Sequence, residues 1–143
     1  MGKFKDLLDK QEIIILDGAL GTELESWGYD VSGKLWSAQY LLDQPQVIQT
    51  VHENYVRAGS DIITTSSYQA SIPAFIEVGL TPEKGYDLLK ETVFLSRKAI
   101  ENIWQALSPE EQKQRPYPLV AGSVGPYAAY LADGSEYTGN YQL

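Results

Sequence analysis

Short, uniformly apolar runs alternate with longer stretches whose apolar residues recur at helical spacing, and the runs end in small or hydroxylated residues. The first run, residues 12–16 with Ile13-Ile14-Ile15-Leu16 at its centre, leads directly into Asp17-Gly18. Runs that are apolar without alternation are those of strands covered on both faces, as in parallel sheets. Thr22-Glu23-Leu24-Glu25 then has the Thr-x-x-Glu form of a capping box and predicts a short helix ending near Gly28. Residues 45–58 predict a second helix, with Val47, Ile48, Val51, Tyr55 and Ala58 on one face and Gly59 as its stop. A second strand over residues 61–65 follows at once.

Residues 71–78 predict a helix ended by Gly79, and Thr81-Pro82 pairs an N-cap with proline at the first helical position. That signal opens a long helix to near Leu107, whose stripe is Leu88, Leu89, Val93, Ala99, Ile100, Ile103 and Trp104. Ser108-Pro109-Glu110-Glu111 repeats the capping signal for another turn or two, and Arg115-Pro116-Tyr117-Pro118 is extended because residues before proline avoid the helical region. A third strand over residues 119–123 enters the turn Val124-Gly125-Pro126-Tyr127, and residues 128–143 have the composition of a loop. Strand and helix in alternation indicate an α/β fold with about three parallel strands under covering helices.

Composition narrows the partners. The chain has 143 residues, 43% of them hydrophobic and 21% charged, which suits one packed core. A formal net charge of −8 disfavours nucleic acid and anionic membrane surfaces, both of which need clustered lysine and arginine. The apolar runs fall short of the roughly 20 residues that span a bilayer, and Met1-Gly2-Lys3-Phe4-Lys5-Asp6 is not a signal-peptide core, so a cytoplasmic protein is expected. The absence of cysteine excludes disulfides, thiol nucleophiles and any thiolate metal site made by this chain alone.

Three strand ends carry groups able to meet in one mouth: Asp17-Gly18, Thr65-Ser66-Ser67 and Ser123-Val124-Gly125-Pro126. Asp17 can accept hydrogen bonds from a ligand ammonium group, or can form an Asx turn before the helix; the residues alone favour neither. Gly18 would let a ligand approach the backbone, and Ser66 is the better contact of its group, since Thr64 and Thr65 read as ordinary strand residues. Ser123 has no Gly-x-Ser-x-Gly elbow and the chain has one histidine, so serine-hydrolase chemistry is disfavoured. That histidine, His52, reads as a helix-surface or boundary residue. Gly18-x-x-Gly21 is not a dinucleotide fingerprint, and Trp27, Trp36 and Trp104 suit packing better than a ligand pocket.

Four separated segments resemble the amino-terminal part of homocysteine S-methyltransferases, in the order that family has them. They are Leu16-Asp17-Gly18-Ala19-Leu20-Gly21-Thr22, Ala58-Gly59-Ser60-Asp61-Ile62-Ile63-Thr64-Thr65, Tyr68-Gln69-Ala70 and Ala121-Gly122-Ser123-Val124-Gly125-Pro126-Tyr127. The similarity covers essentially the whole chain and is greatest to the bacterial type that uses S-methylmethionine or S-adenosylmethionine. The resemblance implies the amino-terminal portion of a TIM (β/α)8 barrel, with residues 1–143 as a partial homocysteine-binding barrel domain, and methyl transfer from a sulfonium donor to homocysteine, giving methionine. It places Asp17, Gly18, Ala19, Ser66 and Ser123 in substrate-binding positions.

The family also uses zinc, which lowers the thiol pKa of homocysteine. Its three zinc-binding cysteines, and an acidic residue that helps hold the amino group, belong to sequence this chain lacks. The expectations are therefore that this truncated chain alone binds no zinc and is inactive, and that it self-associates or docks another polypeptide along an exposed barrel edge. Two alternatives stand beside methyl transfer: a noncatalytic binding or assembly module of the same fold, and, ranked last, a small acid/base enzyme using Asp17.

Overall fold

The computed structural model describes residues 3–33, 35–131 and 133–140. Helix α1 (Lys3–Leu8) precedes an extended segment, which passes into α2 (Leu20–Ser26). A 3-10 turn (Trp36–Gln39) runs into α3 (Tyr40–Asp43), then come α4 (Pro45–Ala58) and strand β1 (Ile62–Thr64). Helices α5 (Ile72–Glu77), α6 (Pro82–Ala106) and α7 (Pro109–Gln114) lead to strand β2 (Leu119–Ala121), followed by α8 (Tyr127–Leu131) and α9 (Ser135–Thr138). The two strands pair in parallel, Ile62 with Leu119, Ile63 with Val120 and Thr64 with Ala121, so the chain is α/β with α5, α6 and α7 in the crossover.

Local chemistry explains the long helices. Pro45 supplies a preset φ at the start of α4, and Gly59, at φ 110°, closes it by donating to Tyr55 and Val56 carbonyls. The Arg115 guanidinium adds bonds of 2.9 Å to the Val56 carbonyl and 2.7 Å to that of Ser60, a cation at the negative end of the helix. Thr81 caps α6 through the Lys84 amide, and Ser108 and Glu111 form the full reciprocal box on α7. Ile48, Val51 and Val56 of α4 are buried, as are Leu88, Leu95, Ala99, Ile100 and Ile103 of α6. These two helices make the main helix pair of the fold. Ile63 of β1 lies beneath them with Val56, Ile100 and Ile103.

Several expectations need correction. The run at residues 12–16 is not a full strand: a single parallel bridge joins Leu16 to Ile62. The Ile15 carbonyl accepts from Asp61 at 2.7 Å and Ile62 at 3.2 Å, and the Asp17 amide donates to Ile62 at 3.0 Å. Side chains expected to be covered on both faces are instead open, with Ile13 75% and Leu16 60% exposed. Helix α2 starts at Leu20 with Ala19 as an N-cap that makes no side-chain bond, so the Thr22–Glu25 box does not form. Thr22 already has helical geometry, whereas a cap must stand just outside the helix.

Residues 128–143 are not all loop, since α8 and α9 lie within the predicted stretch. Ala132 and residues 141–143 of that stretch lie outside the described residues. The stripe of α6 is rotated, with Thr92 and Ser96 buried and Leu89, Val93 and Trp104 only partly so. His52 is no surface residue: it is 2% exposed, because the α4 face that carries Ile48 and Val51 extends to it and is covered by α6.

Candidate functional site

The carboxyl ends of the strands are stitched together by hydroxyls. The Asp17 carboxylate accepts from the Thr64 amide at 2.8 Å and from the Thr64 hydroxyl at 3.0 Å. It therefore ties the end of the first run to the end of β1 and makes no Asx turn into α2. Half-burial pushes the Asp17 carboxyl above its ordinary range, and the bonds from Thr64 oppose that rise. On the other side of β1, the Thr65 hydroxyl accepts from the Ser123 amide at 2.9 Å, and the Ser67 hydroxyl donates to the Ser123 carbonyl at 2.6 Å. Three chain segments far apart in sequence are thus held at one end of the sheet.

The turn after Asp17 is positioned by a tyrosine of α4. The Tyr55 hydroxyl donates to the Ala19 carbonyl at 3.2 Å. A Cβ on Gly18 would lie 2.6 Å from that same hydroxyl, so only glycine lets the turn sit against the ring. Asp17 and Glu23 near Tyr55 add to burial in raising its phenol pKa, burial being the larger cause, so the hydroxyl remains a donor.

Between these segments lies a cavity of about 310 Å³ bordered by Gly18, Ala19, Trp36, Thr64, Ser66 and Ser123. This volume is at the lower end of small-molecule sites. Four of the five residues singled out in the sequence meet here; Asp17 is not on the wall itself and reaches it through Thr64. Ser66 is 7% exposed, and its hydroxyl has no hydrogen-bond partner. A buried hydroxyl without a partner costs about 1–3 kcal/mol unless a ligand or water supplies one. Trp36, at φ 47°, occupies the left-handed region that bulky residues avoid, and it does so on the cavity wall.

The roles of Thr64 and Thr65 were hidden by their type, because β-branched residues are ordinary in strands. The one available signal was four consecutive hydroxyl residues, Thr64-Thr65-Ser66-Ser67, at a strand's end. No local signal marks Tyr55, whose partner Ala19 is remote in sequence. His52 does not border the cavity; its Nε2 lies 3.4 Å from the Ser96 hydroxyl between α4 and α6.

A zinc ion, expected from the resemblance, would need sulfur, nitrogen or carboxylate donors. The chain has no cysteine, and among the described residues no three histidine or acidic side chains are grouped closely enough to hold a metal. The described residues do not fit a zinc site.

Comparison with known proteins agrees with the segments noted in the sequence. Residues 14–143 match the family model described as homocysteine S-methyltransferase. Homocysteine S-methyltransferase YbgG of Bacillus subtilis is 41% identical over 143 residues, which are 100% of this chain and 45% of the relative. Homocysteine S-methyltransferase of Escherichia coli is 48% identical over 135 residues, 94% of this chain and 42% of the relative. The crystal structure of the metallated form of the homocysteine methyltransferase MmuM from Escherichia coli superposes with a TM-score of 0.88 at 46% identity. That superposition covers 99% of this chain and 48% of the solved one. The chain thus spans less than half the length of these relatives.

Proposed function

The chain belongs to the homocysteine S-methyltransferase family, and from that premise we propose that it carries the homocysteine-receiving part of an enzyme that methylates homocysteine to methionine from a sulfonium donor. The observation that carries this reading is the buried, unpartnered Ser66 hydroxyl in a cavity that also gathers Gly18, Ala19 and Ser123. An amino acid entering there meets backbone at Gly18 and Ala19, where the absence of a Gly18 side chain permits close approach, and hydroxyl or backbone groups at Ser66 and Ser123. Asp17 does not border the cavity, but its carboxylate, held on Thr64 of the wall, lends negative charge that would attract the ligand's ammonium group. These residues bind and orient. They provide no thiolate, and among the described residues no grouped set of metal ligands, so methyl transfer by the chain alone is not expected.

The architecture in this reading is the amino-terminal portion of a (β/α)8 barrel, with residues 1–143 forming one partial domain. The parallel pairing of β1 and β2 and the parallel bridge at Leu16 support it. Exposed Ile13, Ile15 and Leu16 support self-association through that edge, and a dilution-resistant compact monomer in sedimentation would count against it. No helix among the described residues is long and apolar enough to cross a membrane, and the reading places the protein in the cytoplasm.

Calorimetric titration with L-homocysteine tests the site. Binding to the wild type, weakened about tenfold or more by Ser66→Ala, is the expected result. Unchanged affinity in Ser66→Ala would remove the main support for the reading. Methionine formation by the purified chain with S-methylmethionine and added zinc would overturn the claim of inactivity.

A further inference from the structure

A second cavity of about 520 Å³ shares Thr65, Tyr68, Gln69 and Ser123 with the first and belongs to the same mouth. A separate cleft lies at the other end of the sheet, where Pro116-Tyr117-Pro118 leads into Leu119, the first residue of β2. It has two lobes, of about 340 Å³ and about 280 Å³, that meet at Lys3, Tyr117 and Leu119. Side by side, these volumes suit one small molecule. Helix α1 and the turn after it form one side: Leu7, 3% exposed, anchors the helix, and Lys3, Asp6 and Lys10 border the first lobe. Arg97 and Ile100 of α6 border the second. The cleft shares no described residue with the candidate homocysteine cavity.

Lys3, Lys10 and Arg97 belong to the 11 basic residues of a chain of net charge −8, and they gather around this one cleft. None of them forms an ion pair or side-chain hydrogen bond with the described residues, whereas Lys5 and Lys90 are paired with Asp9 and Asp87. Cations gathered without counter-charge raise the local potential, which favours an anion. Tyr117, held edge-on against Trp104 at 5.0 Å, is 50% exposed and leaves ring surface open to a flat ligand. Asp6 on the wall and Glu101 near Tyr117 disfavour a bare polyanion and suit a ligand that also carries N–H or O–H donors. We propose that this cleft binds a mononucleotide, its phosphate drawn by Lys3, Lys10 and Arg97 and its base stacked on Tyr117. Such a ligand takes no part in methyl transfer. By joining α1 to α6 and to the segment that leads into β2, it acts as an effector that stabilises the fold.

The test is a set of calorimetric titrations of the full chain at low ionic strength with AMP, UMP, adenosine, uridine and ribose 5-phosphate. At least one nucleotide should bind about tenfold tighter than its nucleoside and than ribose 5-phosphate, and should raise the melting temperature. Lys3, Arg97 and Tyr117 are all exposed, so their replacement leaves the core intact, and unliganded melting temperatures check this. Lys3→Gln and Arg97→Gln should each weaken nucleotide binding about tenfold. Tyr117→Leu should weaken it about tenfold while leaving ribose 5-phosphate binding unchanged. Absence of nucleotide binding, or equal binding of the nucleoside or of ribose 5-phosphate, would overturn the proposal. So would full nucleotide affinity in any of the three variants.

Discussion

Acidification should destabilise this protein through a histidine that takes no part in the cavities. His52 lies between α4 and α6, and burial alone lowers its pKa from 6.5 to about 4. The Ser96 hydroxyl donates to the Thr92 carbonyl at 2.9 Å, which leaves its lone pairs to accept from His52 Nε2 at 3.4 Å. Nδ1 has no partner, so protonation would bury a charged N–H without an acceptor. Because the folded-state pKa lies below the unfolded one, the unfolded chain takes up the proton first. Stability is complete above about pH 6.5 and falls as pH approaches 4.

At about 1.4 kcal/mol per pKa unit, linkage gives a loss of about 2 kcal/mol by pH 5 and about 3 kcal/mol by pH 4, a large fraction of a small domain's stability. Urea unfolding of wild type and His52→Leu from pH 7 to pH 4 isolates the effect, since other titrating groups are common to both. The variant's absolute stability can differ at every pH; the difference in slope is the readout. Parallel pH profiles for the two proteins would refute the assignment of a buried neutral imidazole.

Gly125→Ala should cost about 1–3 kcal/mol in thermal or urea unfolding, because its Cβ meets the Tyr68 backbone oxygen at 2.1 Å and a main-chain shift must follow. Gly18→Ala meets only the Tyr55 ring tip, so loss of homocysteine affinity in calorimetry should exceed any loss of stability. Tyr55→Phe relieves no clash but removes the bond to the Ala19 carbonyl, and the same titration should show a smaller loss of affinity. Thr81→Ala, which removes the N-cap bond from the Lys84 amide of α6, should lower stability by about 1 kcal/mol in urea unfolding without altering ligand affinity.

Much of this architecture was legible along the chain because its signals are local. Pro45 and Gly59 bracket α4 at the predicted ends, and Thr81-Pro82 and Ser108-Pro109 open α6 and α7 where capping chemistry places them. A cap or a proline acts within one helical turn and needs no tertiary partner. The Thr22–Glu25 box shows the limit of such signals, since the same motif is silent once the helix has begun at Leu20.

The clustering of Gly18, Ala19, Ser66 and Ser123 was readable as a coincidence of strand ends, because parallel strands bring those ends to one side. Which side chains would be spent on structure was not. Asp17 is engaged by Thr64, Thr65 by Ser123, and the Gly18 turn by Tyr55, and each pairing joins segments about 35 to 60 residues apart. Burial likewise depends on a partner element: His52 looks like a helix boundary residue until α6 covers it, and Ile13 looks like a core residue although its side chain faces solvent. Residue type and spacing determined helices α4 to α7 and the family; the closing of distant segments around two cavities, which only the fold brings together, decided what each polar group could still bind.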